Sequence, residues 1–149
     1  MTPDELRQLA DEIEREGGRV QDAYIRSVLV GDMSFCDFDT GCFHGECESP
    51  GCGAPLGIHD ERRSYPRWYE DERLPHYTTN LQDAVDAVPE GYCVSIAIQE
   101  KSGRWFFIVD NTTGGCASAV ASHPAAALCT AILRAVAAEK ENEKRARKN

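Results

Sequence analysis

The sequence predicts an α+β domain in which helices pack on a small antiparallel sheet. Three observations carry this. Residues 92–110 alternate with period two around a short Gly-containing loop, the signature of a β-hairpin. Apolar residues recur at helical spacing near the N-terminus and again after Pro124. Both faces of the hairpin strands are apolar, which suits a sheet covered on both sides. At 149 residues the chain has the length for one domain, with a core that needs no disulfide staples.

The elements follow in order. Residues 2–16 read as a first helix. Thr2 is the N-cap, Pro3 takes the first helical position, and Glu5 completes a capping box. Leu6, Leu9, Ala10 and Ile13 form its apolar stripe, and Gly17 and Gly18 end it. A second helix is expected over residues 20–30, stopped by Gly31. Residues 32–75 have no clear periodicity and read as an irregular insertion, with short strands suggested at 34–38 and 67–69. Asn80 caps a helix over 81–88, with Asp83 where a carboxylate is favoured. Residues 92–99 form the outgoing strand of the hairpin, Tyr92, Val94, Ile96 and Ile98 on one face and Cys93, Ser95 and Ala97 on the other. Residues 104–110 return, with Trp105, Phe107 and Val109 alternating against Phe106 and Ile108. Tyr92, Val94, Ile96, Ile98, Trp105, Phe107 and Val109 are expected to be buried. Residues 111–121 are small and Gly-containing and read as a loop. A last helix starts near His123, with Pro124 at its first position, and Leu128, Ile132 and Ala135 toward the sheet. The domain is therefore placed at 1–138, and 139–149 is a charged tail, a frayed helical extension or disordered.

The function classes are bounded by charge and by the cysteines. The formal net charge is -9, which argues against a phosphate-backbone binder. The sequence has no apolar run of the ~20 residues a membrane helix needs. Its N-terminus lacks the basic-then-apolar pattern of a secretory signal, so a cytoplasmic location is expected. Of seven cysteines, Cys36, Cys42, Cys47 and Cys52 cluster among glycines. In a reducing compartment such a cluster suggests metal before disulfides, and thiolates suit a tetrahedral zinc site. Zinc is the candidate cofactor, with His44 and His59 as alternate ligands. Against this stands the plainer reading of small residues in a Gly-rich loop, since no closely spaced cysteine pair of the zinc-knuckle kind is present.

Two further constellations carry possible chemistry. Arg63, Arg67, Trp68 and Tyr69 interleave guanidinium and aromatic groups, a set that grips anionic ligands and stacks bases. Asp60, Glu61, Glu70, Asp71 and Glu72 lie among them and cancel much of that field, which favours a solvated loop over a nucleic-acid site. Cys116 follows two glycines and precedes His123 by seven residues, a weak nucleophile-and-base pattern without a third orienting group. Cys93 and Cys129 read as buried small hydrophobes.

The run Tyr77, Thr78, Leu81, Asp83, Val88, Pro89, Glu90, Gly91, followed by a hairpin and then Pro124, Ala125, Leu128 and Cys129, resembles the phage ABA sandwich domain family. Asp22, Ile25 and Gly31 resemble the second helix of that family. The resemblance covers most of the chain outside the cysteine-rich middle and the charged tail. It implies a layered α-β-α sandwich, with helices on both faces of the sheet, and a phage or prophage origin, hence the cytoplasm of an infected bacterium. It supplies no activity and no catalytic residues, and a four-cysteine cluster is not part of its pattern. The expected function is that of a phage accessory protein, a non-enzymatic module binding an unknown partner, with the cysteine-rich loop as its recognition element. The alternatives are capture of a small nucleotide-type ligand that counters host defence, and a cysteine-dependent enzyme built on Cys116.

Overall fold

The computed structural model describes residues 1–30 and 74–149. Helix α1 spans Pro3–Arg15 and carries the expected capping box: Thr2 accepts from the Glu5 backbone N–H, and Glu5 accepts from that of Thr2. Leu6, Leu9, Ala10 and Ile13 are its buried stripe. Helix α2, Arg19–Ile25, passes into a π-helical turn over Arg26–Val30. Helix α3, Leu81–Asp86, is capped by Asn80, whose side chain accepts from the Asp83 N–H.

Strands β1, Tyr92–Gln99, β2, Trp105–Asn111, and β3, Cys116–Ala121, form a three-stranded antiparallel sheet in the order β1-β2-β3. The turn between β1 and β2 uses Gly103 at φ 87°, a backbone conformation that side chains other than hydrogen strain. The third strand corrects the loop expected over 111–121. Its alternate residues Ala117, Ala119 and Ala121 pair with Val109, Phe107 and Trp105. Their small size lets a helix approach the sheet closely.

That helix is α4, Pro124–Lys148. It packs on β2 and β3, and also against α1 and α3. Residues from Ala125 through Leu133 are all buried, so this stretch of the helix is apolar on every side but for Thr130, because it is covered all round. Thr130 reaches the Ala10 carbonyl of α1, and Cys129 reaches the Tyr77 carbonyl at 3.2 Å. At the other end, Glu139 accepts hydrogen bonds from the Tyr92 and Thr113 hydroxyls, tying α4 to β1 and to the β2–β3 turn. Leu128, Ile132 and Ala135 fall on the same helical stripe as Glu139, which places them toward the sheet as expected. The Thr113 hydroxyl, then that of Tyr92, holds the Glu139 carboxyl below its ordinary range. A carboxyl depressed in the folded state contributes stability above its unfolded pKa, and that contribution is lost as pH falls through the folded value. The helix continues through the charged C-terminal stretch, where Glu141 pairs with Arg7 and Lys140 donates to the Met1 carbonyl.

The segment before α3 is pinned by a buried polar knot. Asp22 is 1% exposed and accepts from the Thr78 backbone N–H at 2.8 Å and from the Thr78 hydroxyl at 3.0 Å. Arg19 pairs with Asp22 at 3.0 Å and donates to the carbonyls of Leu74 and Pro75. Gly17 lies directly over this knot: a Cβ there would sit 2.7 Å from Thr78 Cβ.

The class is α+β, a three-strand antiparallel sheet with helices packed on it. Among the described residues the helices gather on one face, with α4 between the sheet and α1 and α3. No described helix is long and apolar enough to cross a membrane.

Candidate functional site

Every residue that the sequence singled out for a ligand or a metal lies outside the described residues: Cys36, Cys42, Cys47, Cys52, His44, His59, Arg63, Arg67, Trp68 and Tyr69. The strands suggested at 34–38 and 67–69 lie outside them too. Among the described residues no group of three or more His, Cys, Asp or Glu side chains is arranged to hold a metal ion.

The Cys116 and His123 pattern does not form a nucleophile and base. Cys116 opens β3 and His123 lies beyond its far end, so the length of a six-residue strand, roughly 17 Å, separates them. His123 is the N-cap of α4, its Nδ1 accepting from the Ala125 N–H. Cys129 is buried as expected, and burial pushes its thiol up. Cys93 corrects the same expectation: it is exposed, donates to Asp110 at 3.2 Å, and is pushed up by that carboxylate. Neither thiol has the lowered pKa of a nucleophile.

The feature that stands out is the sheet face turned away from α4. Cross-strand partners share a face, so the register assigns every side chain. On β2, Trp105, Phe107 and Val109 point inward with their β3 partners Ala121, Ala119 and Ala117. Phe106, Ile108 and Asp110 point outward with Val120, Ser118 and Cys116. On β1 the register shifts between Val94 and Ile96, which inserts Ser95 as an extra residue. Tyr92 and Val94 therefore point inward while Ile96 and Ile98 point outward, opposite Ile108 and Phe106. This corrects the single-face assignment made from alternation.

The burial expectation is corrected with it. Phe107 and Val109 are buried, and Tyr92 and Trp105 partly so. Val94, Ile96 and Ile98 are 39%, 41% and 52% exposed. Ile96 and Ile98 stand on the outer face beside the half-buried Phe106, Ile108 and Val120. The result is one apolar patch, Ile98–Phe106–Val120 beside Ile96–Ile108, on a sheet edge that carries no charged residue from Tyr92 to Gln99. Polar groups bound it at both ends: Cys93, Asp110 and Cys116 at one, exposed Arg104 at the other. An apolar centre with a charged rim is the anatomy of a protein interface. A chemical site needs converging polar groups, and this patch has none at its centre.

The groove of about 290 Å³ along α1, between Met1, Glu5, Leu9, Glu12 and Tyr24, is a weaker candidate. Its Glu5 carboxylate already serves the helix cap. Comparison of the chain with protein-family models, with curated proteins and with solved structures gives no match.

Proposed function

We propose that this chain is a phage-encoded accessory protein that works as a non-enzymatic binding module, with the outer face of the sheet as its docking surface. The observation that carries the reading is the exposed apolar row, Ile96 and Ile98 above all, on a strand without a charged residue. A natural edge strand is commonly blunted by a lysine, a proline, an inward charge or a bulge, and of these β1 has only the bulge at Ser95. The phage assignment draws on the resemblance carried by Thr78, Asp83, Pro124 and Cys129.

The test is the double substitution Ile96→Lys with Ile98→Lys, melted at sub-micromolar concentration. A docking surface is idle in the isolated chain, so the melting temperature should move by less than about 3 °C. A fall beyond about 10 °C would make these residues part of the chain's own core and end the reading.

The cysteine-rich segment 32–75 enters the proposal as a second recognition element ordered by zinc on Cys36, Cys42, Cys47 and Cys52. Four thiolates on one ion, each near 2.3 Å, supply folding free energy directly to a Gly-rich stretch that has few apolar residues to bury. Protein purified without added metal should carry about one zinc per chain. A metal content near zero, unchanged by loading with zinc salt, would remove zinc from the proposal.

A further inference from the structure

We infer that the outer face closes on the same face of a second copy of this chain, forming a two-fold, face-to-face dimer. This rests on the reading of that face as a docking surface and adds its occupant. The argument is self-complementarity. Along the central strand β2 the outward side chains run Phe106, Ile108, Asp110, and the exposed Arg104 just before the strand falls at the same alternation, its guanidinium over β3 at the Val120 carbonyl: a cation, two apolar groups, a carboxylate. A two-fold axis lying between the two sheets and crossing β2 at right angles, midway between Phe106 and Ile108, reverses this order in the second copy. Arg104 of each copy then stands over Asp110 of the other. The Ile98–Phe106–Val120 row of each copy lies on the Ile96–Ile108 row of the other.

Stacked sheets sit about 10 Å apart, a gap that an arginine side chain reaching toward a carboxylate spans. The charges also select the orientation. An axis running along β2 instead would set Arg104 on Arg104 and Asp110 on Asp110, so the same two residues that favour the antiparallel arrangement oppose the parallel one. Each copy contributes the same patch, as an isologous interface requires. A face three strands wide and about seven residues long is smaller than a standard-size interface, so weak association, with a dissociation constant in the micromolar range, is expected.

The experiment is sedimentation equilibrium of the full chain from about 1 to 500 μM, with two charge-reversal variants, Arg104→Asp and Asp110→Arg. The wild type should pass from monomer to dimer across this range. Each variant alone should dimerise at least ten-fold more weakly, because like charges now meet at both ends of the interface. An equimolar mixture of the two variants should recover dimerisation, since both opposed pairs are then of opposite sign. A wild type that stays monomeric throughout overturns the inference, as does a dimer whose affinity neither variant changes. Anilinonaphthalene sulfonate fluorescence separates the failures. Dye bound by a monomeric wild type and lost in Ile96→Lys/Ile98→Lys would leave the face as a docking surface for a different protein and sink the second copy alone. Dye ignored by both proteins would sink the docking reading as well.

Discussion

Replacing Asp22 by alanine is expected to cost about 3–5 kcal/mol of folding stability, the scale for breaking a buried ion pair by removing one partner. The carboxylate is 1% exposed and takes three contacts at once: the Thr78 N–H, the Thr78 hydroxyl and Arg19. Alanine strips two buried donors of their acceptor, and each stranded donor carries a desolvation penalty of about 1–3 kcal/mol. It also takes from Arg19 the carboxylate that aligns it with the Leu74 and Pro75 carbonyls, so the chain entering α3 loses its anchor to α2. Asp22→Asn keeps an oxygen for Thr78 but turns an amide toward Arg19, and should fall between the two. Urea denaturation measures this directly as a shift of midpoint at constant slope. A loss under 1 kcal/mol for Asp22→Ala would show that water replaces the carboxylate and that the knot is not a structural anchor.

The second large effect is expected from Ile132→Ala. Ile132 is fully buried in the part of α4 that has no solvent-facing side. Truncations of this kind cost about 2–5 kcal/mol, and the value depends on how far the surroundings collapse into the space. Here collapse is hindered. The inward residues of β3 are already alanines, with no long side chain to swing in. The β2–β3 turn is already in tight contact with the helix, because a Cβ on Gly115 would lie 2.8 Å from the Ala135 carbonyl oxygen. The upper half of the range is therefore expected. A cost below about 1.5 kcal/mol would mean that α4 shifts to fill the cavity and is less firmly held than its burial indicates.

What was legible in the sequence was what depends on neighbours in the chain. The Thr2–Glu5 capping box, the Asn80 cap and the Pro124 start of α4 are each a few residues long, and each has its reason within those residues. The hairpin was legible for the same cause. The third strand was not. Cys-Ala-Ser-Ala-Val-Ala has no strong β-formers but Val120, and its alanines are small because α4 lies against them, a fact of tertiary packing. The extra residue at Ser95 left no mark in composition, yet it moved Ile96 and Ile98 to the opposite face from Val94. Alternation reports that a strand has an apolar side; it does not report whether anything covers it. The exposed apolar row was thus written in the sequence as residues and read as core. Asp22 stood out in the resemblance, but its burial with Thr78 depends on a contact between residues 56 apart.

The position of α4 has a consequence for how the protein opens. A helix in contact with the sheet on one side and with α1 and α3 on the other cannot be released by the departure of either layer alone. Its backbone amides from Cys129 to Leu133 should therefore exchange with deuterium only through global unfolding, at the slowest rates in the chain. The amides on the outer edge of β1 have no neighbouring described strand and should exchange orders of magnitude faster. The same chain would then carry two clocks, a slow one set by the whole fold and a fast one confined to the strand that faces outward.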